Sequence, residues 1–443
     1  MTSQKSITFF YPSRITGGVE YCFLRLAEYL SVNSGRKVNY IDYKDGFSFN
    51  KLASGPVKLI EYTPNQLNEF EEDTCIIAPP SCIPTLISDF KFSERTNFVF
   101  WYLHYFNYLH LFPLSNLYDE ESTIVISDCI KLLHREFECS KKGLNFLYEH
   151  EALVFTDIEN LHINKELFDL DISSHKLIPV PINQVSHEIR SELVSEKEIN
   201  IGLMGRLSLD KIYPLMHILE LATEYSQEKQ KKIRVHLIGA GECTSLFEQF
   251  NNINNLELIF CGTLVDEVLR EYMSTNIDIL FSQGTSALEA ARLHIPSVLL
   301  DISFRPLPKT HKLRWLFETI GYCTGPSAES SLIPCTHTFE DIINFVYEKP
   351  GAKIQVGQQC YSYFIENHLI DEVANLLISQ TDHSSAFKKD LIFYFSFLEI
   401  FKKRFIWTRK ILLIIRLLLK VPKWYKLKKI ILYLISNKLQ LKS

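Results

Sequence analysis

Arg206 and Lys211 stand five residues apart, directly after Gly205 and before an amphipathic stretch. An apolar, strand-like run at 200–204 precedes them. A strand, a glycine turn and two cations that open a helix form an anion site. Backbone amides and the positive helix end face the ligand, and a guanidinium bonds two phosphate oxygens at once. Taken alone, the pair also fits an exposed Arg and Lys after a strand. A second run, Gln283-Gly284-Thr285-Ser286 followed by Glu289, closes another strand and opens another helix. Its bare turn can seat a phosphate on amides and hydroxyls. Glu289, about one turn into the helix, can accept hydrogen bonds from both hydroxyls of a ribose. The same Ser286-x-x-Glu289 spacing is also a capping box that needs no ligand. His104 ends an aromatic strand at 98–104, where it is either a proton-handling group or one more ring in an aromatic belt.

The elements that must position these groups alternate short apolar strands with amphipathic helices, the pattern of α/β domains with parallel sheets. In the first half, strands are expected at 7–11, 38–41, 75–78, 98–103, 123–127 and 153–156, with a helix after the turn Gly17-Gly18. In the second half they are expected at 200–204, 234–238, 256–261, 277–281 and 297–301, with helices near 213–225, 265–273 and 285–293. The turns at Gly205, Gly239-Ala240-Gly241, Gly262 and Gly284 all follow strand ends. Ligands of parallel sheets collect beyond the carboxyl ends of the strands, so these turns would ring one crevice. Ile178-Pro179-Val180-Pro181 and the charged stretch 187–197 form the linker. The boundaries expected are 1–185 and 196–352 for two Rossmann-like domains, 353–387 for a helix packing back on the body, and 388–443 for a tail.

Composition supports this division. At 443 residues, with 46% hydrophobic and 22% charged residues, the chain suits two ordinary globular domains. The net charge of −5 is unevenly spread: residues 388–443 hold 15 Lys and Arg against 2 Asp and Glu, net +13, which leaves −18 on the rest. An acidic body is no partner for nucleic acid. Ten scattered cysteines, with no Cys-x-x-Cys pair, read as free thiols in a reducing cytoplasm. The first ten residues lack the pattern of a secretory signal and read as a strand. In the tail, apolar clusters alternate with cations, and Trp407, Trp424 and Tyr425 suit the headgroup level. No stretch of 18 uncharged apolar residues occurs there, so the expectation is amphipathic helices lying on an anionic bilayer. A basic helical hairpin packed on the acidic body is the alternative.

In these motifs the chain resembles the retaining GT-B glycosyltransferases of group 1, or family 4. The segments that carry the resemblance are Gly205-Arg206…Lys211, Gly239-Ala240-Gly241-Glu242, Cys261-Gly262-Thr263 and Leu288-Glu289-Ala290…His294-Ile295-Pro296. It covers 195–350 well, and 1–185 through Gly17-Gly18-Val19-Glu20 and His104. The resemblance implies two Rossmann-like domains facing across a crevice, a nucleotide-sugar donor and no metal or other cofactor. It implies that Arg206 and Lys211 bind the donor diphosphate and neutralise the leaving nucleotide. Glu289 would hold the ribose, with Gly262 and Thr263 near the base. Gly17, Gly18, Gly205, Gly239, Gly284, Thr285 and Ser286 would let backbone and hydroxyls approach the donor, and His104 would lie near the acceptor. The family pairs two glutamates eight residues apart, but the position eight before Glu289 is Phe281. Contact with the donor sugar then falls to Gln283 or to loop amides.

Two further stretches are decoys on this reading. Asp169-Leu170-Asp171 matches the metal signature of the other glycosyltransferase fold but sits beside the linker as an acidic turn. The basic stretch 305–314 reads as a solvated loop leading into a helix. The function expected is sugar transfer to a glycan or lipid-linked acceptor in surface polysaccharide (lipopolysaccharide or capsule) synthesis. Its place would be the inner face of the cell membrane, as a peripheral cytoplasmic protein. The rivals are a nucleotide-sugar epimerase of the same architecture and a non-catalytic membrane-associated subunit.

Overall fold

The computed structural model describes residues 5–15, 17–112, 133–174, 176–185, 198–208 and 211–399. Two parallel sheets dominate it. The first is six-stranded, in the order Lys58–Glu61, Val38–Asp42, Ser6–Phe10, Thr74–Ala78, Asn97–Tyr102, Leu153–Phe155. Its strands read as continuous apolar runs because both faces are covered. In Asn97–Tyr102, Phe98, Phe100 and Tyr102 enter one core while Val99 and Trp101 enter the other. The second sheet is also six-stranded: Leu256–Gly262, Lys232–Ile238, Glu198–Met204, Ile279–Ser282, Ser297–Leu299 and an antiparallel edge, Arg314–Trp315. The expected strand at 123–127, the charged stretch 187–197 and the tail beyond residue 399 lie outside the described residues.

Strand order reverses once in each sheet, and each reversal opens a crevice beyond the strand ends. In the first lobe it falls between Ser6–Phe10 and Thr74–Ala78, so Gly17-Gly18 and helix Gly18–Asn33 follow directly. In the second lobe it falls between Glu198–Met204 and Ile279–Ser282. The loops holding Arg206 and Gln283 therefore flank one point.

The chain passes between the lobes at Ile182 and His368, where the Ile182 amide donates to the His368 carbonyl at 2.8 Å. Helix Ala352–His368 buries Val356, Cys360 and Phe364 in the second lobe, and helix Ile370–His383 buries Val373 and Leu377 in the first. Helix Lys388–Phe395 also belongs to the body. Leu391, Phe395 and Leu398 are buried in the first-lobe core, and Gly143 leaves room for the Phe395 ring. The first residues of the segment set apart as a tail, 388–399, are thus folded, because their apolar face has a partner.

Two buried groups give the fold an acid response. Asp157 caps helix Ile158–Phe168, and burial pushes its carboxyl up to about 6. His368 is fully buried, which lowers it to about 4. The signs oppose each other. Stability from Asp157 is complete below the ordinary carboxylate value and is lost as pH rises through about 6. Stability from His368 is complete above the ordinary imidazole value and is lost as pH falls toward about 4. Each shift is worth up to roughly 3 kcal/mol, so the two partly cancel. In Asp157→Asn, which keeps a capping side chain, Tm should fall more steeply than in wild type between pH 6.5 and 4. Superimposable Tm profiles would refute this assignment.

Candidate nucleotide-sugar site

Met204, Gly205, Lys211, Leu215, Gln283 and Leu300 line a crevice at the reversal point of the second sheet. Lys211 immediately precedes helix Ile212–Lys229, and the Lys211 and Ile212 amides donate to the Ser208 carbonyl at 2.9 and 3.0 Å. The backbone at Gly205 passes close to the aliphatic stem of Lys211. Arg206 is held by its Nε, which donates to Ser208 Oγ at 3.1 Å.

The glycines serve as spacers that bring three loops together. Gly205 N–H donates to the Ile238 carbonyl at 3.1 Å, Leu207 N–H to Ala240 at 3.1 Å, and Gly239 N–H to Gly262 at 2.8 Å. Gly239 has φ +138°, and a Cβ on it would overlap the Gly205 carbonyl. A Cβ on Gly241 would overlap the Leu207 carbonyl. Gly262, at φ +67°, meets nothing within 4 Å, and Thr263 beside it is exposed.

The second run is placed differently from a capping box. Gly284, at φ +61°, is the N-cap of helix Thr285–Ala291, and no side chain caps it. The buried Glu289 carboxylate instead pairs with Arg25 of the first lobe at 2.6 Å and with Arg292, just past the end of its own helix, at 2.5 Å. Gln283 is buried, and its Nε2 donates to the Asp301 carbonyl at 2.9 Å, which fixes the side chain at the crevice wall. Phe281 is packed in the second-lobe core against Phe339, ring centres 5.6 Å apart, so counting back from Glu289 reaches no polar group.

Across the crevice, a Cβ on Gly18 would lie 3.8 Å from Thr285 Oγ1, which brings the two glycine turns face to face. At Gly17, a Cβ would crowd the carboxylate of the buried Glu20, which accepts from Ser13 Oγ at 2.7 Å. His104 follows strand Asn97–Tyr102. Its Nδ1 accepts from the Phe106 amide at 3.2 Å, so the neutral ring carries its proton on Nε2. The ring stacks on Tyr105 at 4.3 Å, and Phe106 reaches Phe304 of the second lobe at 6.4 Å. The structure thus shows His104 as a ring in an aromatic stack beside Tyr105 and Phe106.

Three features were not legible in the sequence. Arg25 lies seven residues after Gly18 on one helix, hence on the same face, yet nothing pointed it at Glu289. The second-lobe loop after Thr319 docks on the first lobe: Glu159, buried there, accepts from the Ser327 amide at 3.3 Å and Ser330 Oγ at 2.8 Å. Most of the basic stretch 305–314 is loop, but Arg314 is fully buried in the edge strand and bonds Asp301 at 2.6 Å and Cys335 at 2.7 Å. Asp301, His311 and Cys335 are the group of possible metal ligands among the described residues, and the Arg314 guanidinium already supplies positive charge there. Asp169 pairs with Lys141 in an exposed turn.

No family model and no curated protein matches the sequence. Solved structures do match in fold. The Anabaena protein HepE, in complex with UDP-glucose, aligns over 86% of this chain and 100% of its own, at 12% identity and TM-score 0.51. The N-terminal domain of Candida albicans trehalose-6-phosphate phosphatase aligns over 86% of this chain and 97% of its own, at 10% identity and TM-score 0.50. Both alignments span the two lobes and their crevice, and the architecture is the GT-B fold.

Proposed function

We propose that this GT-B chain is a glycosyltransferase that moves a sugar from a nucleotide-sugar donor to a glycan or lipid-linked acceptor. The observation that carries the reading is the crevice at the second sheet's reversal point, where Lys211 at a helix start lines the same space as the Gly205 and Gln283 turns. In the proposed pose Lys211 and Arg206 bind the diphosphate and stabilise the charge that grows on it as the sugar leaves. This role needs no metal. Glu289 accepts from the ribose hydroxyls, and Gln283 with the 284–286 turn meets the sugar. His104, through Nε2, handles the acceptor from the first lobe. Retention of configuration follows from the resemblance to family 4.

A lipid-linked acceptor would call for contact with a membrane surface. Helix Lys388–Phe395 leaves Ile392 and Phe393 exposed, and the basic segment 400–443 follows. Among the described residues no helix is long and apolar enough to cross a membrane. Surface attachment at the inner face of the cell membrane, in surface polysaccharide synthesis, is the reading we favour. A chain ending at residue 399 should leave the membrane pellet for the soluble fraction and keep a cooperative melt. Continued sedimentation with anionic vesicles would count against the tail as anchor.

One observation favours a second reading, a non-catalytic subunit: the core position of Phe281, where the family's first glutamate is counted. The two separate in a transfer assay with nucleotide sugars and cell membranes. Acceptor-dependent release of nucleoside diphosphate supports the transferase. Binding of nucleotide without release, in any donor and membrane combination, supports the subunit.

A further inference from the structure

We propose that Gln283 selects the donor sugar through its amide oxygen, because the carbonyl of Asp301, anchored by the buried Arg314, takes up the amide nitrogen. The inference rests on the nucleotide-sugar reading above and deepens it: the sugar is one that donates a hydroxyl at this wall. Among the described residues that line the crevice, Lys211 and Gln283 carry the polar side chains, while Met204, Leu215 and Leu300 are apolar. Lys211 is committed to the diphosphate in the proposed pose. Gln283 is then the lining side chain that can read a sugar hydroxyl.

The orientation of its amide follows from its partner. Gln283 Nε2 donates to the Asp301 carbonyl at 2.9 Å, and a carbonyl only accepts, so the nitrogen is the end that faces Asp301. Oε1 is the end that remains to meet a ligand. Turning the amide over would set two acceptors against each other. The backbone around the pair is fixed as well. The Leu300 amide donates to the Ser282 carbonyl at 3.0 Å, the Gly284 amide to Thr324 at 2.7 Å and the Ile302 amide to Pro326 at 2.7 Å. A Cβ on Gly325 would lie 3.6 Å from the Gln283 Cβ, so the side chain is packed on that side too.

Asp301 is itself held from behind. Arg314, fully buried in the edge strand, lies next to Leu299 in register and donates to Asp301 Oδ1 at 2.6 Å. The same Nη2 donates to Cys335 Sγ at 2.7 Å, and His311 Nε2 lies 3.1 Å from Asp301 Oδ2. The Arg314 and Asp301 side chains are only 2% and 4% exposed, so each buried charge depends on the other. Without Arg314 the Asp301 carboxylate would turn toward water and carry its carbonyl out of line with Gln283. Arg314 and Asp301 are thus positioning residues that act on the sugar through Gln283. An acceptor oxygen set in an apolar wall favours a donated hydroxyl and disfavours a carboxylate.

The test is calorimetry of the full chain with UDP, GDP and ADP, and with UDP-glucose, GDP-mannose and ADP-glucose, each also as its monodeoxy and monodeoxyfluoro sugars. Fluorine cannot donate, so at one sugar position the deoxy and deoxyfluoro forms should both bind about 3- to 10-fold more weakly than the parent. Gln283→Met should bind all three forms alike at that position. Equal binding of all forms by wild type, recovery of affinity by fluorine, or a loss that persists in folded Gln283→Met overturns the inference. The fluorine series uses wild type alone and decides the orientation whether or not Gln283→Met folds. Arg314→Gln should lose the discrimination, and adding Asp301→Asn, which makes the pair neutral, should restore it. Discrimination kept by the single variant, or absent from the double, overturns the positioning role. If wild type binds a diphosphate but none of the donors, the inference falls and the diphosphate site stands. If it binds no diphosphate either, the donor-site reading falls, and the inference with it.

Discussion

Alanine at both 206 and 211 should lower affinity for nucleoside diphosphate at least 100-fold. A hydrogen bond to a charged group contributes about 1.5–3 kcal/mol, and two such cations contribute about 3–6 kcal/mol. At about 1.4 kcal/mol per decade that is roughly 10²- to 10⁴-fold. Fold stability should change little, since Arg206 is exposed and Lys211 lines a crevice rather than a core. Calorimetry measures the affinity and a melt measures the stability. Unchanged affinity in a folded double variant would remove the diphosphate from this loop.

Gly239→Ala should impair both stability and nucleotide binding, although residue 239 has no side chain to offer a ligand. Its φ of +138° is one that side chains other than glycine's rarely adopt, and the new methyl would overlap the Gly205 carbonyl. The loop that carries Arg206 would have to move, and with it the hydrogen bonds that tie 205–207 to 238–240. Backbone strain of this kind costs about 1–3 kcal/mol before any displacement is counted. Gly351→Ala is the control. Its φ is also positive, at +76°, but the space around it is open. It should cost about 1–2 kcal/mol and leave binding close to wild type. A Gly239→Ala protein as stable as Gly351→Ala, with wild-type affinity, would mean that the three-loop junction does not position Arg206.

The sequence and the structure agree where periodicity is strong. Runs such as 98–103 and 200–204 are apolar on both faces because both faces are covered, and they became central strands. The strand Lys58–Glu61 escaped notice because it is a sheet edge with its two end residues exposed, so its residues do not alternate in the expected way. Arg314 was misread for a related reason: a buried cation is legible only once its partners, Asp301 and Cys335, are placed beside it. The turns at the strand ends could be read because glycine at strand ends has few other uses. Their partners could not: Arg25 and Glu289 meet across lobes, and no local pattern encodes a contact between two separately folded units. The tail boundary moved for the same cause. The cations of 388–389 matched the basic segment, while Leu391 and Phe395 had a core to enter.

The occupant we propose for the crevice beside Lys211 is a nucleotide sugar. Its most direct test is a thermal-shift series on the full chain with nucleoside diphosphates and the matching nucleotide sugars, repeated on the Arg206→Ala, Lys211→Ala double variant. At least one nucleotide and its sugar should raise Tm in wild type, and the shift should vanish in the variant. No shift with any nucleotide, or a shift that survives loss of both cations, would contradict the account.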